Sequence, residues 1–144
     1  MLDFSEGNET HSLLIVDDDE PFRNRLARAM EKRGFAVTTA ASVSEGCSVA
    51  RRDKPTYAAL DLRLEDGSGL EIVKELQSSQ PEARIIVLTG YGNIATAVAA
   101  VKAGAIDYLP KPADADAVAA ALLERENPLP PPPENPMSAD RVKW

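Results

Sequence analysis

Cysteine occurs once in these 144 residues, at Cys47. A lone cysteine forms no internal bridge. Within the helical pattern around it, Cys47 reads as a small packing residue rather than a reactive thiol. Histidine also occurs once, as His11, with no partner group nearby in the sequence. That leaves no basis for a histidine-centred reaction. No run of about 18 apolar residues is present, which argues against a membrane-spanning helix. The N-terminus lacks the basic-then-apolar order of a signal peptide, so the expectation is a soluble, cytoplasmic protein. Aromatic residues make up 5% of the chain, so Val, Ile, Leu and Ala must fill most of the core. Basic charge is in deficit. The net charge of −7 falls entirely within residues 1–127, while the last 17 residues balance. A domain this acidic is poorly suited to gripping nucleic acid, where basic charge must neutralise phosphates.

What is present is a repeated alternation. Residues 1–11 are polar and aperiodic and read as a flexible arm. From residue 12, short apolar runs alternate with longer amphipathic segments, the βαβα order of a parallel sheet covered by helices. The strands are placed at about 12–17, 35–40, 57–61, 84–89 and 106–109. The first helix follows strand one and is ended by Gly34, and the others are placed at about 43–53, 68–79, 93–103 and 114–126. Pro21 suits a first helical turn, and Gly34 suits a helix end. Ser42 or Ser44 and Asp114 are cap candidates. In the fourth helix Ile94, Ala97, Val98 and Val101 share one face, which is read as the packed face. Five short-looped strand–helix pairs predict a doubly wound α/β sheet of one domain over 12–126. Beyond it, Pro128, Pro130 to Pro133 and Pro136 predict an extended spacer over 127–136. Residues 137–144 then read as the start of a further domain.

Four of the apolar runs end in polar groups. Leu13 to Val16 ends at Asp17-Asp18-Asp19, and Tyr57 to Leu60 ends at Asp61. Ile85 to Leu88 ends at Thr89, and the run to Leu109 leads into Lys111-Pro112. Ligands of open parallel sheets bind at the carboxyl ends of the strands. One pocket of carboxylates, a hydroxyl and a lysine is therefore predicted. An acidic turn before a helix is often only dipole-favoured capping, and a lone Thr or Lys is usually a turn residue or a solvated charge. Their joint placement after four different strands favours a site. Clustered carboxylates need a cation, and Mg2+ suits oxygen ligands and phosphate chemistry. Asp18 and Asp61 are placed as direct ligands, with Asp17 acting through a water and the Arg63 backbone carbonyl as a further oxygen. Asp61 could then attack a phosphoryl group, whose oxygens Lys111, Thr89 and nearby backbone N–H groups would meet.

With these residues in place, the chain resembles the receiver domain of response regulators over about residues 12–126. The motifs are Val16-Asp17-Asp18, Leu60-Asp61 with Leu64 and Gly69 following, Leu88-Thr89-Gly90, Lys102-Ala103-Gly104-Ala105, and Tyr108-Leu109-Pro110-Lys111-Pro112. The resemblance implies the flavodoxin- and CheY-like (βα)5 fold of a five-stranded parallel sheet. It implies Asp61 as phosphoacceptor, Asp17 and Asp18 as the acidic pair for Mg2+, and Thr89 and Lys111 as the residues that sense the phosphoryl group. Tyr108 is implied as the switch aromatic and Arg63 and Tyr91 as positions that tune phosphoryl lifetime, with a cis bond between Lys111 and Pro112. Implied partners are a sensor histidine kinase and a second copy met through helix 4, strand 5 and helix 5. Asp61-Leu62-Arg63-Leu64-Glu65-Asp66-Gly67-Ser68-Gly69 and the proline linker are similar to the RegA/PrrA/ActR group of redox-responsive transcription regulators. For that group, residues 137–144 would begin a helix-turn-helix effector domain, and DNA would be bound only there. Glu65 stands where many receivers have proline, a replacement this narrower group shares. On this reading the domain is no enzyme beyond phosphotransfer to its own Asp61 and its own dephosphorylation. A phosphatase acting on an external substrate would need an acid/base Asp where Arg63 stands. A receiver-like interaction module without a working pocket would have lost some of Asp18, Asp61, Thr89 and Lys111.

Overall fold

The computed structural model describes residues 11–90 and 94–123. The strands of the main sheet are β1 (His11–Val16), β2 (Phe35–Ala40), β3 (Tyr57–Asp61), β4 (Arg84–Thr89) and β5 (Asp107–Pro110). The helices between and after them are α1 (Glu20–Lys32), α2 (Val43–Asp53), α3 (Leu70–Ser79), α4 (Ile94–Ala103) and α5 (Ala115–Leu123). All strands are parallel, in the order β2-β1-β3-β4-β5. A two-stranded antiparallel ribbon, Arg63–Leu64 with Gly67–Ser68, lies between β3 and α3. This is the doubly wound (βα)5 sheet that the alternation predicts.

Strand periodicity divides the core into two layers. Leu14, Val16, Ala58, Leu60, Ile85 and Val87 face α2, α3 and α4. Leu13, Ile15, Ala59, Ile86 and Leu88 face α1 and α5, where Phe22, Leu26, Met30, Val118 and Leu122 meet them. Each fully buried Leu or Ile side chain contributes about 1.5–3 kcal/mol relative to exposure. The sheet therefore needs no cross-link to hold it.

The helices begin where side chains can take their free amides. Asp19 accepts from Phe22 N at 3.2 Å, with Pro21 in the first turn of α1. Ser42 accepts from Glu45 N at 3.1 Å at the start of α2, so of the two serine candidates it is Ser42 that caps. Asp114 accepts from Ala117 N at 2.8 Å at the start of α5.

Two sequence expectations differ from the structure. His11 opens β1, opposite Phe35, rather than closing the arm. Its ring packs 5.7 Å from Phe35 and 5.5 Å from Tyr57, between centroids. In α4 the packed stripe is Ala97 and Ala100, while Ile94, Val98 and Val101 are 55%, 41% and 37% exposed. Helical spacing shows which apolar residues share a face, but the larger side chains lost to the smaller ones here. The alanine stripe lets the helix lie close against the sheet. Residues 1–10, 91–93 and 124–144, and with them Tyr91, the proline stretch and the chain end, lie outside the described residues.

Candidate functional site

β1 is the point from which the chain winds in both directions, to β2 on one side and to β3 on the other. A crevice opens at the carboxyl ends of β1 and β3, the switch point of such sheets. Asp17 follows β1 directly and is wholly buried, and Asp61 is the last residue of β3 and is 5% exposed. Carboxylate oxygens of Asp17, Asp18 and Asp61 all lie within 4.8 Å of one another. Lys111, just past β5, donates from Nζ to Asp17 Oδ2 at 3.0 Å and to Asp61 Oδ2 at 3.4 Å. Thr89, at the end of β4, is buried, and its hydroxyl donates to Gly90 O at 3.1 Å. The Arg63 amide donates to Asp61 Oδ1 at 3.2 Å while its side chain stays exposed. Tyr108, half-buried on β5, packs against the α2–α3–α4 core. The Lys111–Pro112 peptide bond is cis. The structure thus brings Asp17, Asp18, Asp61, Thr89, Lys111 and the Arg63 backbone to one sheet edge.

The acidic run divides its labour. Asp19 caps α1, whereas Asp17 and Asp18 face the crevice. Asp17 Oδ1 accepts the Asp19 amide at 2.9 Å, so the turn itself aims the Asp17 carboxylate.

Charge in the crevice is unbalanced. Burial first, then the neighbouring Asp17, pushes the Asp61 carboxyl up to about 6, against the pull of Lys111 and the Arg63 amide. Burial works against the Lys111 ammonium, yet its bond to Asp17 and the field of Asp61 outweigh that and raise its pKa above the ordinary lysine value. One ammonium thus faces three clustered carboxylates. An all-oxygen set with surplus negative charge fits a hard divalent cation such as Mg2+.

Two residues of the site carry no motif signal. Phe22 lies beneath Lys111, with Nζ 5.0 Å from the ring centroid. Arg23 donates from a guanidinium nitrogen to the Asp17 carbonyl at 2.9 Å. Both sit on the first turn of α1, and only their proximity to Pro21 and the acidic run hinted at them.

Acidic groups after β1 and β3, a hydroxyl after β4 and a lysine after β5 of a (βα)5 sheet define a receiver-type domain. A model of the response regulator receiver domain matches residues 13–123. The chain belongs to that family and is the receiver domain of a two-component response regulator. It is 66% identical over 133 residues to the photosynthetic apparatus regulatory protein RegA of Cereibacter sphaeroides, covering 92% of this chain and 72% of that protein. It is 62% identical over 133 residues to the acid tolerance regulatory protein ActR of Rhizobium meliloti, covering 92% of this chain and 69% of that protein. Among solved structures it is similar to a response regulator of Burkholderia pseudomallei with a phosphorylated aspartic acid, a calcium ion and citrate. There the TM-score is 0.74 at 46% identity, covering 79% of this chain and 66% of that one.

Proposed function

We propose that Asp61 is the phosphoacceptor of a histidine–aspartate phosphotransfer and that the domain switches a transcriptional effector. The observation that carries this is the Asp61 carboxylate itself. It is buried at the switch point, crowded by Asp17, and within 3.4 Å of the Lys111 ammonium. In the reaction an Asp61 oxygen bonds to phosphorus as the P–N bond of a kinase phosphohistidine breaks, and the imidazole leaves with that electron pair. Lys111 meets one phosphoryl oxygen, while the Thr89 hydroxyl and backbone amides such as that of Arg63 meet others. Asp18, Asp61, Asp17 through a water, and the Arg63 carbonyl would hold Mg2+. When bound, Mg2+ neutralises carboxylate and phosphoryl charge. Arg63 and Tyr91 tune how long the phosphoryl group lasts.

The added charge of about −1.5 to −2 draws Thr89 toward the phosphoryl group. Tyr108 follows by turning inward, and the α4–β5–α5 face is remodelled. Its elements expose Ile94, Val98, Val101, Ile106 and Leu123, apolar side chains suited to pairing with a second copy. The names of the RegA and ActR relatives support a regulatory output, and the chain spans about 70% of their length. On this reading the residues before His11 are an arm, 127–136 a linker, and 137–144 the beginning of a helix-turn-helix domain through which the intact regulator binds DNA in a redox response. The setting is cytoplasmic. Among the described residues, no helix is long and apolar enough to cross a membrane.

Incubation with Mg2+ and acetyl phosphate, followed by intact mass, tests the central step. One phosphoryl group should appear on the parent and none on Asp61→Ala. Equal addition to both would reject Asp61 as the acceptor.

A further inference from the structure

The turn of the small ribbon makes a contact that phosphotransfer does not use. Asp66 lies between the two ribbon strands, and both its carboxylate oxygens reach α2. Val43 N donates to Oδ1 at 2.7 Å and Ser44 N donates to Oδ2 at 3.1 Å. These are the first two amides of the helix, which have no partner within it. The third, Glu45 N, is already taken by Ser42 Oγ. Glu45 Oε1 reaches back to accept the Ala41 amide at 3.0 Å. The local cap therefore leaves the Val43 and Ser44 amides open, and Asp66 arrives from another element to take them. Its hydrogen bonds from Val43 and Ser44 hold its carboxyl below the ordinary range.

The helix end held in this way adjoins the acidic crevice. α2 follows β2, whose last residue, Ala40, accepts the Asp17 amide at 3.1 Å. On the other side the ribbon starts at Arg63, whose amide donates to Asp61 Oδ1. A continuous path of hydrogen bonds and chain segments therefore runs from Asp17 through Ala40, the start of α2, Asp66 and Arg63 to Asp61. The base of the ribbon is fixed independently. Gly69 N donates to Leu62 O at 3.0 Å, and a side chain at Gly69 would collide with the Asp61 carbonyl. At its tip, the polar tie is Asp66.

We propose that Asp66 is a positioning residue for the phosphoacceptor site, clamping the ribbon to α2 so that the Arg63 backbone is held against Asp61. This rests on the phosphoacceptor reading above. The competing account is a cap that serves stability alone. Outer partners that orient a cation site change affinity or activity by about 10-fold or more, whereas a cap acts on the helix.

The test pairs Asp66→Ala with Ser42→Ala in the 144-residue chain. Each removes one cap of α2, but only the first releases the ribbon. The readouts are amide hydrogen exchange at Arg63 and Leu64, calorimetric Mg2+ affinity, phosphorylation by acetyl phosphate, and melting temperature. Asp66→Ala should weaken Mg2+ binding and slow phosphorylation about 10-fold and speed Arg63 exchange. Ser42→Ala, with a comparable loss of melting temperature, should leave all three at the parental level. Asp66→Asn keeps one acceptor oxygen, should fall between parent and Asp66→Ala, and serves if Asp66→Ala fails to fold. Equal Arg63 exchange in the Asp66 and Ser42 variants would overturn the clamp. If Asp61→Ala takes a phosphoryl group as readily as the parent while Arg63 exchange still separates the Asp66 and Ser42 variants, the clamp stands and the phosphoacceptor reading falls.

Discussion

The Lys111 amide donates to the Thr89 carbonyl at 2.9 Å. The two residues placed to meet a phosphoryl group are thus joined through their backbones across β4 and β5, while their side chains approach the crevice separately. Lys111 is already engaged with Asp17 and Asp61, whereas the Thr89 hydroxyl is turned to its neighbour Gly90. A phosphoryl group offers Thr89 a stronger, charged acceptor.

Thr89→Ala should therefore separate phosphorylation from its consequence. Incorporation from acetyl phosphate should stay within about 3-fold of the parent, since one neutral hydrogen bond is worth roughly 0.5–1.5 kcal/mol. The change in hydrogen exchange across α4 and β5 on phosphorylation should disappear. A parental surface response in this variant would refute the coupling.

The raised Asp61 pKa makes metal-free stability depend on pH. Folding favours the protonated carboxyl, so the associated stability is full below the ordinary value of 3.8 and is lost as pH rises through about 6. Above that, ionised Asp61 burdens the fold by an amount on the order of 2 kcal/mol. In EDTA at pH 8, Asp61→Asn should melt roughly 5 °C above the parent, and the gap should narrow steadily toward pH 4. A gap that is constant across this range would show that the carboxyl is not perturbed.

The exposed apolar face yields a third expectation. Val98 is 41% exposed on α4, so Val98→Asp should change monomer stability by no more than about 0.5 kcal/mol. Sedimentation of the phosphorylated protein should show self-association weakened by about 10-fold or more, as for a charge set in an apolar contact. Undiminished association would place the contact elsewhere.

Much of this molecule is legible in one dimension. Apolar runs of strand length, separated by helical segments too short to do anything but cross back, leave few arrangements other than a parallel sheet. Parallel strands all end at the same edge, so Asp17, Asp61, Thr89 and Lys111 had to converge. The misreadings share a cause. The apolar residues of α4 are visible from their spacing, yet which of them pack depends on how near the helix lies to the sheet, and Ala97 with Ala100 permits the closer approach. His11 reads as the end of the polar arm because the support that makes it a strand residue comes from Phe35 and Tyr57, distant in sequence.

By itself, then, the sequence determined the element order and the edge where the polar groups gather. Those follow from chain connectivity, which acts locally. Only the tertiary structure decided that Asp19 caps while Asp17 and Asp18 face the crevice, that Phe22 underlies Lys111, and that Asp66 reaches across to Val43 and Ser44. Each of these depends on the distance and direction between side chains on separate elements, and packing alone sets that relation.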